Sequence, residues 1–239
     1  MKIEIVMPAY NAAKTIESVF NRIPPGFYNK IDKIIAVNDG SSDNTTNVIE
    51  KLSKQYNKLV VLNHEKNKGY GAAQKTGFNK AIEFNADIVI LLHSDGQYAP
   101  ELLPKMIKPI EENNSDVVLG SRFLGGGALK GGMPLYKYLG NRILTKIENI
   151  AYGMHISEFH TGYMIYSKKA LKTIKFNKLS DTFHFDGEMV MMSGKKKIKI
   201  AEIGIPTRYA EEESHLKPIK YGLDVLKIIL KEKMGKYDF

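Results

Sequence analysis

The chain has 239 residues, 43% of them hydrophobic, which is enough for one globular domain with a real core. It contains no cysteine, which excludes disulfides and thiolate metal sites, so any metal needs oxygen or imidazole ligands. A formal net charge of +9 favours a polyanionic partner: nucleic acid, an anionic membrane surface or a phosphorylated substrate.

The first apolar run carries Glu4 and Pro8, which is typical of a strand and not of a signal peptide. Further runs rich in β-branched residues alternate with segments of helical spacing. Strands are predicted at residues 3–7, 34–37, 59–62, 88–92 and 117–119, and helices at 15–23, 45–56, 72–84 and 101–112. This β-α-β-α order predicts an α/β fold, a mostly parallel sheet with helices on both faces.

The regular alternation of predicted strands and helices ends after about residue 120. Five of the eight residues at 125–132 are glycines, which predicts a mobile loop. Such a loop is either a functional lid or a plain surface linker. A helix at 135–152, a strand at 163–166 and a helix from about 186 follow. No separate linker is visible, so the whole chain, 1–239, is predicted to be one domain.

Polar or turn-forming residues follow three of the predicted strands, at 8–11, 38–41 and 93–97. In open α/β sheets ligands bind beyond the carboxyl ends of the strands, so these segments should share one edge. Asp39 is either a turn residue or a ligand to a base or ribose. Asp95 and Gln97 supply two hard oxygens, the ligand type that a divalent ion bridging a diphosphate requires.

Seven motifs in order carry a family resemblance: residues 8–11, 37–45, 67–73, 94–101, 120–123, 140–142 and 161–163. The chain resembles the family-two inverting glycosyltransferases of GT-A fold, and within them the dolichyl-phosphate mannose synthase and polyprenyl-phosphate glycosyltransferase branch. The resemblance implies metal-dependent transfer, with inversion, from a nucleoside-diphosphate sugar to an acceptor. It divides the domain into a nucleotide-sugar-binding half, 1–120, an acceptor half, 121–215, and a basic amphipathic C-terminal helix, 216–239.

The resemblance also implies roles for single residues. Asp95 and Gln97 are expected to hold a divalent metal, Mn²⁺ or Mg²⁺, and an acid at the start of a late helix is expected to act as the base. That acid is Asp186, with Glu188 second; a helix cap is the alternative role for Asp186. The predicted nucleotide-binding residues are Pro8, Ala9, Tyr10, Asn11, Asp39, Gly69, Ser94, Asp95, Arg122 and Arg208.

Two departures from the family pattern bear on the site. His93 stands where relatives carry a first carboxylate, so it either ligates the metal or points away while Asp95, Gln97 and diphosphate hold the ion. Residues 158–164 lack the usual aspartate, serine and arginine of the lipid-phosphate synthases, which leaves the acceptor open. An already anionic phosphate acceptor needs no strong base, whereas a sugar hydroxyl does.

The C-terminal segment, 217–236, spaces leucines helically among lysines. It either packs on the domain or rests on anionic lipid, and the second alternative suits a membrane-linked acceptor. We expect a cytoplasmic protein, peripheral at the inner face of the membrane. Nucleic acid is not expected as a partner because the lysines are dispersed. There are two alternative functions. A nucleotidyltransferase is disfavoured because the glycine-rich loop expected after its first strand is absent; a homologue that binds nucleotide without turnover remains an alternative.

Overall fold

The computed structural model describes residues 1–206 and 218–239, with the side chain of Pro218 excepted; Arg208 therefore lies outside the described residues. The described chain forms one sheet of seven strands in the order β3-β2-β1-β4-β6-β5-β7. The strands are β1 (Ile3–Ala9), β2 (Ile31–Asn38), β3 (Leu59–Asn63), β4 (Ile88–Leu91), β5 (Val117–Ser121), β6 (Met164–Ser167) and β7 (Ile200–Gly204). Among the strands of the described residues, only β6 runs against its neighbours, β4 and β5, so the prediction of a mostly parallel sheet is confirmed.

Helices connect the strands. They are α1 (Ile16–Asn21), α2 (Pro25–Tyr28), α3 (Thr45–Gln55), α4 (Tyr70–Glu83), α5 (Leu103–Met106), α6 (Lys108–Glu111), α7 (Gly127–Lys130), α8 (Leu135–Tyr152), α9 (Lys168–Thr173), α10 (Phe185–Lys195) and α11 (Pro218–Lys233). Short 3₁₀ turns lie at Pro100–Leu102, Leu124–Gly126 and Phe176–Lys178. No helix within the described ranges combines the length and the hydropathy that crossing a bilayer requires.

Alternation along β1 divides the core between the two faces of the sheet. Ile5 and Met7 belong to one buried cluster, which also contains Ile16 of α1 and Ile49 of α3. Val6 points the other way, into a second cluster with residues of α4 and α10. Layers therefore cover both faces, and the predicted helices at 45–56, 72–84 and 135–152 are present with shifts of two residues or fewer at their ends.

Two elements differ from their sequence patterns. The helix predicted at 101–112 is split into a 3₁₀ turn, α5 and α6, because Pro104 and Pro109 each lack the amide that a continuous helix needs. The glycine-rich stretch contains the short helix α7, so the prediction of a loop throughout 125–132 was wrong. A Cβ at Gly127 would lie 2.6 Å from the Ile205 carbonyl oxygen, which shows that glycine here permits close packing.

Glu4 is a buried acid on β1, an interior strand of the sheet. It is 1% exposed, and its Oε2 has no hydrogen-bond partner among the described residues. Burial, reinforced by the charge of Asp32, raises the pKa of Glu4 from its usual 4.5 to about 7. The folded chain thus keeps a proton that the unfolded chain releases between these two pH values.

We predict that Glu4→Gln stabilises the protein at alkaline pH and changes little at acid pH. A carboxyl with a raised folded pKa lowers stability as pH rises through the interval between the unfolded and folded values, by up to about 3 kcal/mol here. Urea unfolding of wild type and variant at pH 4 and pH 8.5 measures this difference. A variant that shows the same gain at both pH values would contradict the assignment.

Candidate active site

The loops after β1 and β2 are tied together by Asn11. Its Oδ1 accepts hydrogen bonds from the amides of Ser42 and Asp43 at 2.9 and 3.3 Å, and its own amide donates to the Ser41 hydroxyl at 3.0 Å. The preceding residue, Tyr10, is left 48% exposed at the carboxyl edge of the sheet. Asn11 therefore holds the two loops together, and Tyr10 presents an exposed ring face on which a planar base can stack.

Asp39 lies just behind this loop and is 3% exposed. Its carboxylate accepts hydrogen bonds from the amides of Lys68 and Gly69, both at 2.9 Å, and its Oδ1 lies 2.6 Å from Nδ1 of His64. Gly69 has φ +108°, and a Cβ there would lie 2.4 Å from the Asp181 carbonyl oxygen. The predicted contact of Asp39 with a nucleoside stays a prediction; in the structure Asp39 positions the start of α4.

Ser94 connects the β4 edge to β1. Its hydroxyl donates to the Pro8 carbonyl oxygen at 2.8 Å, while the Ala9 carbonyl oxygen accepts from the Asp39 amide at 2.8 Å. The backbone of residues 8–9 is thus bonded to both neighbouring edges. Ser94 is 5% exposed, so its hydroxyl acts inside the protein. These hydrogen bonds bring together four predicted residues at the carboxyl edge of the sheet. We call them the floor of the edge: Pro8, Ala9, Asp39 and Ser94.

Asp95 projects from this floor with its side chain 45% exposed. Its Oδ1 accepts a hydrogen bond from the backbone amide of Gln97 at 2.9 Å, and its Oδ2 lies 3.9 Å from Nδ1 of His93. Burial raises the pKa of Asp95, but His93 and the Gln97 amide outweigh burial and bring the net pKa below its usual value. Asp95 therefore presents an ionised carboxylate at the open edge, next to the exposed Gln97.

A buried hydrogen-bond chain runs inward from His93. Its Nε2 lies 2.8 Å from the Tyr70 hydroxyl, which donates to Oδ2 of Asp186 at 2.6 Å, and Gln74 donates to Oδ1 of Asp186 at 2.8 Å. Burial, followed by the charge of Asp186, holds the pKa of Tyr70 well above its usual value, so the phenol remains a donor. A Cβ at Gly162 would lie 2.7 Å from the His93 ring, so glycine there makes room for the imidazole.

Asp186 lies in the first turn of α10 and does not cap that helix, whose N-cap residue is His184. The alternative role as a cap is therefore wrong, because the carboxylate turns toward α4 instead. Asp186 is 7% exposed, and burial raises its pKa against the opposing effects of His93, Tyr70 and Gln74. Glu188 accepts from the Ser180 amide at 2.7 Å and from the Tyr237 hydroxyl, so it anchors the C-terminal segment.

Arg122 is paired inside the protein. Its Nε donates to Oε1 of Glu158 at 2.7 Å, its amide donates to Oε2 of Glu158 at 2.8 Å, and Nη2 donates to the His160 carbonyl oxygen at 2.7 Å. The Glu158 side chain is 0% exposed and that of Arg122 is 15% exposed. The predicted phosphate contact of Arg122 stays a prediction, and any such contact would share the guanidinium with Glu158.

Sequence reasoning did not identify four residues that organise this site: His64, Tyr70, Gln74 and Glu158. Tyr70 and Gln74 carry a detectable signal, since they are four residues apart on α4 and therefore share a face. Glu158 and His64 meet their partners only through the tertiary fold. Their spacing in the chain could not have revealed them.

The donor set at the edge fits a hard divalent cation. Asp95 and Gln97 offer oxygen atoms on exposed side chains, and Mg²⁺ and Mn²⁺ favour such ligands while keeping positions for phosphate and water. Within the described residues no group of three His, Cys, Asp or Glu side chains converges on one point. Nε2 of His93 is bonded to Tyr70, while its Nδ1 faces Oδ2 of Asp95 at 3.9 Å. Both alternatives for His93 therefore stay predictions.

The fold and this edge define the chain as an α/β protein of GT-A type. Glucosyl-3-phosphoglycerate synthase from Mycobacterium tuberculosis, solved in complex with Mn²⁺, uridine diphosphate and phosphoglyceric acid, has the same fold. The match covers 98% of this chain and 78% of that chain, with a TM-score of 0.71 and 18% identity. The predicted GT-A fold is thereby confirmed.

The model of glycosyl transferase family 2 matches residues 4–175, and the chain belongs to this family. It is similar to the UDP-N-acetylglucosamine–dolichyl-phosphate N-acetylglucosaminyltransferase of Methanococcus voltae, with 34% identity over 98% of this chain and 97% of the relative. It also resembles the dolichol-phosphate mannosyltransferase of Pyrococcus furiosus, with 29% identity over 74% of this chain and 49% of that longer protein. The chain is therefore a glycosyltransferase, and its resemblance to the dolichyl-phosphate branch is confirmed.

We predict that Glu158→Gln lowers the free energy of unfolding by about 3–5 kcal/mol, because it leaves the Arg122 charge buried without its partner. Combining it with Arg122→Met should cost less than the sum of the two single changes. Urea unfolding of the four proteins in this cycle provides the measurement.

The matched control is the exposed pair of Arg22 and Glu101, whose closest atoms are 2.8 Å apart. Glu101→Gln should cost less than about 1 kcal/mol, since exposed ion pairs contribute little. Additive effects of Arg122→Met and Glu158→Gln would show that the buried pair is not coupled.

Proposed function

We propose that this glycosyltransferase moves a sugar from a uridine-diphosphate sugar to a lipid phosphate, with the help of a divalent metal and with inversion at the anomeric carbon. The observation that carries the proposal is the ionised, exposed carboxylate of Asp95. It stands beside Gln97 at the same edge as the exposed ring of Tyr10. A base, a diphosphate and an ion thus have adjacent places.

The donor assignment is supported from two directions. Tyr10 has the exposed ring that a base needs, and Asn11 fixes its loop through the hydrogen bonds to Ser42 and Asp43. The similar protein from Methanococcus voltae is named for a UDP-sugar donor, and the mycobacterial structure contains uridine diphosphate. Uridine is therefore the base we assign to this chain.

The chain's own residues prepare the transfer. Asp95 and Gln97 would hold the metal, whose chemistry there would be to offset the charge that develops on the departing diphosphate. Tyr10 and the floor of the edge orient the nucleoside half of the donor. Attack on the anomeric carbon from the side opposite the diphosphate inverts that carbon, which is the outcome that the family resemblance implies.

The acceptor assignment follows from the state of Asp186. Its carboxylate is 7% exposed, and both of its oxygens accept hydrogen bonds from neighbouring side chains. A lipid phosphate is already anionic and needs no strong base, so this buried carboxylate suits it better than a sugar hydroxyl. Relatives named for dolichyl phosphate support the same acceptor. Such an acceptor places the enzyme at a membrane surface.

We expect Asp95→Asn to remove the metal-dependent part of nucleotide binding, since it deletes the charge that attracts the ion while keeping the size of the side chain. Thermal shift with uridine diphosphate, with and without Mn²⁺, is the measurement. Ligand at 100 times its Kd stabilises a protein by about 2.7 kcal/mol, which corresponds to several degrees in Tm.

Asp87→Asn is the matched control, because Asp87 flanks the other end of β4 and its side chain is 42% exposed, close to the 45% of Asp95. It should leave the metal-dependent shift unchanged. An Asp95→Asn protein that keeps the full shift with Mn²⁺ would refute the metal assignment.

Asp186→Asn distinguishes the two acceptor classes. With a polyprenyl phosphate acceptor we expect turnover to fall by less than about tenfold, whereas a general base for a hydroxyl acceptor contributes roughly 10²- to 10⁴-fold. Transfer of radiolabelled sugar from the UDP-sugar to polyprenyl phosphate gives the rates. Loss of a hundredfold or more in a folded variant would assign the base role to Asp186 and contradict our interpretation.

Glu188→Gln serves as the neighbouring control, since Glu188 contacts Ser180 and Tyr237 and not the Asp186 chain. It is expected to change stability more than turnover. Thermal unfolding of both variants separates the two effects.

A further inference from the structure

Helix α11 carries apolar side chains on two opposite sides. Val225 is 4% exposed and Tyr221 places its hydroxyl 3.0 Å from Nδ1 of His160, so one side packs on the domain. The other side holds a row at intervals of four, three and four residues that is 39–83% exposed. This row consists of Ile219, Leu223, Leu226 and Leu230. The alternative of packing on the domain therefore holds for one side, and the other side is left exposed.

Helix α8 carries a second row of the same kind. Thr145 and Glu148 face inward and are buried, while the outward row is 36–75% exposed. That row consists of Leu139, Ile143, Ile147 and Ile150. Its spacing of four, four and three residues places the side chains on one stripe of the helix.

The two helices lie side by side and run in the same direction. A Cβ at Gly222 of α11 would lie 3.7 Å from Cδ1 of Leu144 on α8, and Lys233 donates to the Ala151 carbonyl oxygen at 2.6 Å. Gly222 and Leu144 each stand next to the outward row of their helix. The two rows therefore form one surface, which we call the apolar face.

Cations border the apolar face on both sides. On the side of α8 away from α11 these are Arg142 and Lys146, both exposed. On the side of α11 away from α8 they are Lys220, Lys227 and Lys231, also exposed. Carboxylates do not interrupt the face within the described parts of the two helices, because Glu148 is buried, Asp224 pairs with Lys227 at 2.8 Å and Glu232 pairs with Lys195 at 3.0 Å.

We propose that the apolar face docks on an anionic lipid surface, with its leucines and isoleucines among the upper acyl chains and its bordering cations on the headgroup phosphates. Apolar stripes between basic borders are the pattern of interfacial helices. A second copy of the chain fits the face less well, because a two-fold face-to-face pairing sets one cationic border against another.

The same helix connects the face to the acceptor side of the site. The Tyr221 ring stacks on His184 with centroids 4.5 Å apart, and His184 is the N-cap residue of α10, which bears Asp186. His160, bonded to Tyr221, provides the carbonyl that accepts from Arg122. Docking through the apolar face would therefore hold the acceptor side close to the lipid. This orientation rests on the proposed lipid-phosphate acceptor; the docking itself does not.

The test is co-sedimentation with vesicles of phosphatidylcholine alone and of phosphatidylcholine with roughly 30 mol% phosphatidylglycerol, at low and high salt. We expect binding to the anionic vesicles only, weakened by salt. A face variant should lose binding at least about tenfold, since each exposed side chain contributes apolar area. It combines three changes, Ile143→Ser, Leu223→Ser and Leu226→Ser.

A border variant separates charge from apolar contact. Replacing three border lysines should weaken anionic binding by roughly fivefold for each lysine, as expected for a cation near a charged bilayer. A control with the same loss of charge on exposed positions of α3 and the turn before β2 should bind as wild type does. The border changes are Lys146→Ala, Lys220→Ala and Lys231→Ala; the control changes are Lys30→Ala, Lys51→Ala and Lys54→Ala.

Each outcome decides the proposal. The proposal is overturned if wild type and face variant bind vesicles equally, or if wild type does not bind anionic vesicles. It is also overturned if wild type forms a dimer in sedimentation velocity and only the face variant loses that dimer, because the face would then bind a second copy. Uridine diphosphate thermal shifts on the same proteins keep the two proposals apart. Vesicle binding without any thermal shift from uridine diphosphate would support docking through the apolar face and contradict the proposed uridine-diphosphate-sugar donor.

Discussion

The carboxylate of Asp186 is the constraint around which the inner half of the site is arranged. It is 7% exposed, so its oxygens need donors from the protein itself, and Tyr70 and Gln74 provide them from one face of α4. Meeting this need fixes α10 against α4. Because the Tyr70 hydroxyl directs its proton at Asp186, the Tyr70 oxygen can accept a hydrogen bond from a further donor.

That remaining need explains the imidazole at position 93. Because Tyr70 donates to Asp186, its oxygen requires a donor, and Nε2 of His93 lies 2.8 Å away. A carboxylate at this position could not donate and would add a second negative charge close to Asp186. Burial lowers the pKa of His93, but Asp95 outweighs it and brings the net pKa above its usual value. His93 thus lies between the exposed acid Asp95 at the carboxyl edge of the sheet and the buried acid Asp186 on α10.

The sequence predicts the elements whose signals are local. Alternation and β-branched runs locate the strands β1 to β5, and the turn residues after them predict the shared edge where Asp39 and Asp95 lie. The short helix α7 was missed because glycine usually indicates a loop, whereas here its missing side chain permits contact with Ile205. The pairing of Arg122 with Glu158 was missed because 36 residues separate the two partners. Helical spacing likewise predicts the row of Ile219, Leu223, Leu226 and Leu230 on α11. The tertiary fold determines that this row stays exposed while Tyr221 and Val225 pack on the domain.

In the proposed function, the exposed apolar side of α11 and the buried carboxylate of Asp186 meet one requirement of a lipid-phosphate acceptor. A phosphate at the end of a long hydrocarbon chain can reach an enzyme only near the bilayer, since withdrawing the chain into water costs about 0.8 kcal/mol for each CH₂ group that becomes exposed. An enzyme using that acceptor gains more from approaching the lipid than from a stronger base, because its nucleophile is already charged. In the function proposed above, the apolar face on α8 and α11 would provide this approach, and the hydrogen-bonded Asp186 would fit chemistry that needs no proton removed.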